Sequence, residues 1–223
     1  MSKVNKAANV SKALGGAEEM ALINAQTLKE MSEEEVYLFR IAAADDRIDR
    51  DHERFLPETL RELAKMFVGK TVIMDHCWSS HNQTARIYAG DAEEENGVTR
   101  MILRAYMLRT EETAEAIRAI EGGILREVSV GCAVKEIRCS VCGELYGSCP
   151  HRKGQEYDGK ICHGELHGAQ DAYELSFVAV PAQKGAGIIK GYEPEKNEEF
   201  LQKQAEAMQL QEEKRFVEVI EHV

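Results

Sequence analysis

Apolar positions along the chain fall into short runs separated by charged or glycine-containing stretches. Residues 20–28 (MALINAQTL) and 36–44 (VYLFRIAAA) read as strands either side of an acidic turn, with Val36, Leu38 and their aromatic neighbours suited to a buried strand. A charged loop, 45–55, follows. Pro57 then opens a helix whose Leu60, Leu63, Ala64 and Phe67 share one face, and Gly69 ends it. Residues 71–76 (TVIMDH) form a short apolar strand that runs into His76. Residues 85–108 read as a hairpin turning at Asn96-Gly97, a two-residue signal for a tight turn. Residues 110–123 read as a helix, with Thr110 as cap, Glu111 and Glu112 in the first turn and Gly122-Gly123 as stop. Two further strands are expected at 124–138 and 172–182, the second closed by Pro181.

This order predicts an α+β fold: a mostly antiparallel sheet or barrel decorated by helices. Residues 1–17 are small and polar and read as a flexible arm. Residues 18–192 hold one domain, and 193–223 form a charged tail with weak helical periodicity.

Composition narrows the function. The chain has 223 residues and a net charge of −11, with no basic stripe to release counterions from nucleic acid. No apolar run approaches the ~20 residues of a membrane span. The first residues are basic but lack the apolar stretch of a secretory signal. A reducing cytosol is therefore expected, and there clustered cysteines point to metal binding or catalysis rather than disulfides.

Four of the six cysteines lie between Cys139 and Cys162. Cys139-Ser-Val-Cys142 is a C-x-x-C knuckle that lets two thiolates face one ion, and Cys149 and His151 follow. Zinc takes four such ligands tetrahedrally, and the nearest set is Cys139, Cys142, Cys149 and His151. Cys162 or His163 is the alternative to His151, and His167 also lies within reach. The loop 139–168 has little apolar surface of its own, so a structural zinc is expected to order it. Cys132 lies outside the cluster and reads as core packing.

Three polar residues interrupt or end apolar strands: His76, Ser129 and Glu174. A serine hydroxyl needs an adjacent imidazole to take its proton, and the imidazole needs a third group to fix its tautomer. Gly131 leaves room beside Ser129 for a substrate backbone or an oxyanion. His81 is the rival base, although it lies in a polar turn. Cys77 is adjacent to His76 and so points to the other face of a strand, which makes a Cys–His pair unexpected.

The motifs VIMDHCW, GGILREVSVGC and YELSFVAVPA occur in this order. Together they resemble the prohead (capsid maturation) serine proteases of tailed phages, related in fold to the herpesvirus assemblins. The resemblance covers roughly residues 20–190, with 139–168 as an insertion between the strands of Ser129 and Glu174. It implies Ser129 as nucleophile, His76 as general base and an acid as third member. Glu174 occupies the matching strand, with Asp171 and His167 as alternatives. It also implies the substrates: scaffold protein and the major capsid protein precursor, together with the protease itself, inside an assembling prohead in the bacterial host cytoplasm. The assemblin relation makes a homo-oligomer the assembly to test for. The competing expectation is a non-enzymatic, zinc-bearing virion or scaffold module of the same fold.

Overall fold

The computed structural model describes residues 16–189. The elements run α1 (Gly16–Asn24), β1 (Val36–Asp45), β2 (Glu53–Phe55), α2 (Pro57–Met66), β3 (Thr71–Met74), β4 (Ala85–Glu95), β5 (Val98–Leu108), α3 (Ala114–Glu121), β6 (Val128–Cys139), β7 (Glu156–Tyr157), β8 (Lys160–Ile161), β9 (Gly164–Phe177) and β10 (Gly187–Ile189). Among the described residues no helix is long and apolar enough to cross a membrane. The expected arm, save its last two residues, and the expected tail at 193–223 lie outside the described residues.

Eight strands form one sheet in the order β10-β1-β5-β4-β3-β9-β2, with β6 on β9. Most pairs are antiparallel; β2 and β3 run parallel to β9, against its beginning and its end. The sheet is not closed, which corrects the barrel alternative. Among the described residues only an isolated bridge, Glu127 to Gly187, joins the segment before β6 to β10, and one bridge is not the ladder a barrel needs.

The sheet's apolar face and α2 make the core. Leu60, Leu63 and Phe67 are fully buried, with Ile41, Ile87, Leu103, Leu175 and Phe177 opposite them. Each such side chain contributes roughly 1.5–3 kcal/mol by leaving water. The helix lies so close to β4 that a β-carbon on residue 90 would stand 2.2 Å from the Ala64 carbonyl oxygen, so glycine is required there. Polar contacts fix α2 along β9: Thr59 Oγ1 donates to the Leu166 carbonyl at 2.9 Å, and Glu62 accepts from the Ala169 N–H at 2.7 Å.

The hairpin forms as its sequence predicts. Asn96 (φ 52°) and Gly97 (φ 74°) both take the left-handed conformation of a tight primed turn. Residues 20–28 depart from expectation, because the first part of this run belongs to α1 rather than to a strand. The segment before Asn24 is rich in helix formers, and Met20 and Ile23, three apart, are its buried residues. The third helix is shorter than 110–123: Thr110 Oγ1 accepts from the Thr113 N–H at 3.3 Å, and regular helix begins only at Ala114. The last long strand, β9, begins at Gly164 and ends at Phe177, earlier at both ends than the expected 172–182.

Candidate active site and metal centre

Strand β3 ends at Met74, and the next two residues, Asp75 and His76, both have φ 52°. Two successive non-glycine residues in this region cost roughly 1–2 kcal/mol each. The turn is held by the Asp75 N–H to the Phe177 carbonyl and by the His76 N–H to Ser176 Oγ, both at 2.9 Å. Asn82 secures the following loop, donating to the Met74 and Cys77 carbonyls at 2.8 and 2.9 Å. His76 is thereby fixed over the end of β9, with its side chain 42% exposed.

On β9, Glu174 and Ser176 alternate with Leu175, so they share a face. Glu174 is buried, and both its oxygens are occupied. Oε1 lies 2.8 Å from His76 Nδ1, and Oε2 accepts from Ser176 Oγ at 2.9 Å. A buried carboxylate without partners is costly, so this satisfaction accounts for its place in an apolar strand. With Nδ1–H donated to the carboxylate, Nε2 is the lone-pair nitrogen left for a proton transfer.

Strand β6 brings Ser129 to the same place. In the β6–β9 register Ser129 pairs with Ser176 and Gly131 with Glu174, so all four lie on one face. Ser129 is half-buried. Among the described residues no hydrogen bond joins Ser129 Oγ to His76. The space beside Gly131 differs from expectation: a β-carbon there would stand 2.3 Å from Glu174 Oε1, so on this face the acid fills it rather than substrate.

The other sequence candidates fall elsewhere. His81 is exposed in the turn Ser80–Asn82. Asp171 is exposed and lies 3.6 Å from Lys70. His167 pairs across the sheet with Glu136 and lies 3.5 Å from Glu165. Cys77 is exposed. Cys132 packs against the core, and burial, reinforced by the charges of Glu53 and Glu174, pushes its thiol up to about 11. Ser176, to which the sequence reading gave no role, is the polar residue joining the others.

At the opposite end of the β6–β9 ribbon, Cys139 closes β6 and pairs with Gly164, the first residue of β9. Donor atoms of Cys139, Cys142, Cys149 and His151 all lie within 4.8 Å of one another, so the cluster could hold a metal ion. The local chain is built as a thiolate knuckle. Gly143 (φ 77°) turns it back so that its N–H reaches the Cys139 carbonyl at 2.8 Å. Burial opposes ionisation of Cys139, but the N–H groups of Cys142 and Val141, together with hydrogen bonds from the Cys142 and Cys162 thiols, bring the thiol down to about 6. His151 Nδ1 is buried with no hydrogen-bond partner, as suits a ligand atom.

Cys162 is the neighbour of this set. It is fully buried, with its sulfur 3.7 Å from that of Cys139. A separation near this suits two thiolates on one tetrahedral metal ion. His163 turns Nδ1 toward the Ile161 carbonyl at 3.3 Å, while its Nε2, like His151 Nδ1, is buried with no hydrogen-bond partner among the described residues. The loop is also tied to the domain. Lys153 pairs with Glu53, and Gly164 N–H donates to the His52 carbonyl at 2.9 Å.

Comparison with family models, curated proteins and solved structures finds no match.

Proposed function

We propose that this chain is a serine endopeptidase of the prohead-protease type, with Ser129 as nucleophile, His76 as general base and Glu174 as the orienting acid. The observation that carries the reading is the 2.8 Å contact of His76 Nδ1 with buried Glu174, two register positions from Ser129. A buried carboxylate on Nδ1 fixes the tautomer that leaves Nε2 as proton acceptor and stabilises the imidazolium formed in the reaction. Ser129 Oγ attacks the peptide carbonyl as its proton passes to Nε2. His76 then gives that proton to the leaving amine. A water, deprotonated at the same nitrogen, attacks the acyl carbon, and His76 returns that proton to Ser129 Oγ as the ester bond breaks and the acid leaves. Main-chain N–H groups around Ser129–Gly131 are the donors proposed for the oxyanion.

The resemblance of the three motifs supplies the proposed substrates: scaffold protein, the capsid protein precursor and the chain itself, within an assembling prohead. The cysteine cluster is proposed to hold a structural zinc. Cys139, Cys142, Cys149 and His151 close four positions, and Cys162 competes for one of them. A closed site supplies folding energy and keeps no position for a reacting group.

One observation favours the non-enzymatic virion module: Ser129 and His76 are not hydrogen-bonded. Catalytic hydrogen bonds in substrate-free enzymes are often long and tighten only in the complex, so the protease reading stands ahead of it. Intact mass of a capsid or scaffold precursor, incubated with wild type and with Ser129→Ala, separates the two. Fragments with wild type alone support the protease. An uncut precursor in both, with folded and zinc-loaded protein, supports the module.

A further inference from the structure

We infer that Ser176 is a positioning residue, locking the base and its acid into one unit; this rests on the protease reading above. Ser176 is wholly buried, so it is not placed to attack a substrate. Its hydroxyl has one proton to give and lone pairs to accept with. The proton goes to Glu174 Oε2 at 2.9 Å. A lone pair accepts the main-chain N–H of His76, also at 2.9 Å. The same hydroxyl thus touches the acid and the backbone of the base.

Each bond has a separate consequence. The bond to Oε2 fixes the rotation of the carboxylate, so that Oε1 is the oxygen presented to His76 Nδ1. The bond from the His76 N–H holds a residue whose φ of 52° the chain would otherwise leave. The strand register adds a third link, because Ser176 lies directly across from Ser129. One buried side chain therefore sets the imidazole's height and the acid's rotation, directly across the strand register from the proposed nucleophile. Alternation along β9 is what permits this: a serine two places after the acid shares its face.

The test is the rate at which a fluorophosphonate labels Ser129, read by mass, for wild type, Ser176→Ala, Ser176→Thr, Glu174→Ala and the double variant Glu174→Ala/Ser176→Ala. Misplacement by about 1 Å can cost about 100-fold in rate, so Ser176→Ala is expected to label roughly 10- to 100-fold more slowly. Ser176→Thr, which keeps the hydroxyl, recovers most of the rate. In the Glu174→Ala background the same serine deletion costs less, because the part of its effect that acts through the carboxylate is already lost. Circular dichroism and thermal melts identify any variant that fails to fold. Equal rates for wild type and Ser176→Ala would overturn the inference, as would a folded Ser176→Ala whose loss is undiminished without Glu174. An unlabelled wild type would instead overturn the protease reading, and this inference with it.

Discussion

Glu174 lies where a β-carbon of residue 131 would be: the added atom would stand 2.3 Å from Oε1 and 3.0 Å from Cδ. The S-x-G pattern of β6 and the E-x-S pattern of β9 are therefore one device. Opposed residues in the register, Gly131 and Glu174, fit only because one has no side chain. Gly131→Ala forces the carboxylate away from His76. Overpacking of this kind costs about 1–3 kcal/mol. We expect a lower melting temperature together with a larger proportional loss of Ser129 labelling; a melting change without loss of labelling would separate the glycine from the site.

Glu174→Gln keeps the shape of the acid but not its charge. Gln can still accept from the Nδ1–H, yet it stabilises an imidazolium less well. A fall in peptide cleavage of at least about 100-fold is expected, by analogy with other acids that orient a catalytic histidine. The variant should remain folded, because the amide oxygen still accepts from His76 and its NH2 can donate to Ser176 Oγ. The measurement is kcat for precursor cleavage, with zinc content as a control.

Metal removal is expected to act from the far end of the ribbon. Cys139 lies ten positions beyond Ser129 on β6 (139 − 129), about 33 Å along an extended strand. Two register shifts, at Gly131/Cys132 and Ala133/Val134, lie between them. A chelator should lower the melting temperature by roughly 10 °C if zinc is bound about a thousandfold above its dissociation constant. Hydrogen exchange should rise first at residues 137–139 and 164–166, and only later at 128–131. Uniform loss of protection along the ribbon would show that the metal supports the whole domain instead.

The cysteines should separate by environment. Cys132, with its thiol raised to about 11, stays protonated at pH 8 and becomes nucleophilic only as the pH nears that value. Cys77 is exposed. Iodoacetamide at pH 8 is therefore expected to modify Cys77 well before Cys132 in zinc-loaded protein, read by peptide mass mapping. Equal modification of the two would contradict the packing described for Cys132.

Much of the framework was legible in local pattern. Leu60, Leu63, Ala64 and Phe67 marked α2, Asn96-Gly97 marked the hairpin, and the cysteine spacing marked the cluster. The first helix was missed because the short apolar run MALIN fits a strand or a helix equally well by period. Long-range register was less legible. Nothing local shows that β6 and β9 pair from Val128–Phe177 to Cys139–Gly164, and it is this pairing that puts the site at one end and the cysteines at the other. Ser176 was missed for the same reason. Its E-x-S spacing places it on the face of Glu174, but its bond to the His76 backbone depends on where β3 ends.

The central claim is that Ser129 is a nucleophile activated by His76. Its most direct measurement is the location of a fluorophosphonate adduct, mapped by peptide mass in wild type and in folded His76→Ala. The account predicts one adduct, on Ser129, that is lost or strongly slowed when His76 is removed. No adduct in the wild type, an adduct on another residue, or equal labelling of Ser129 without His76 would contradict it.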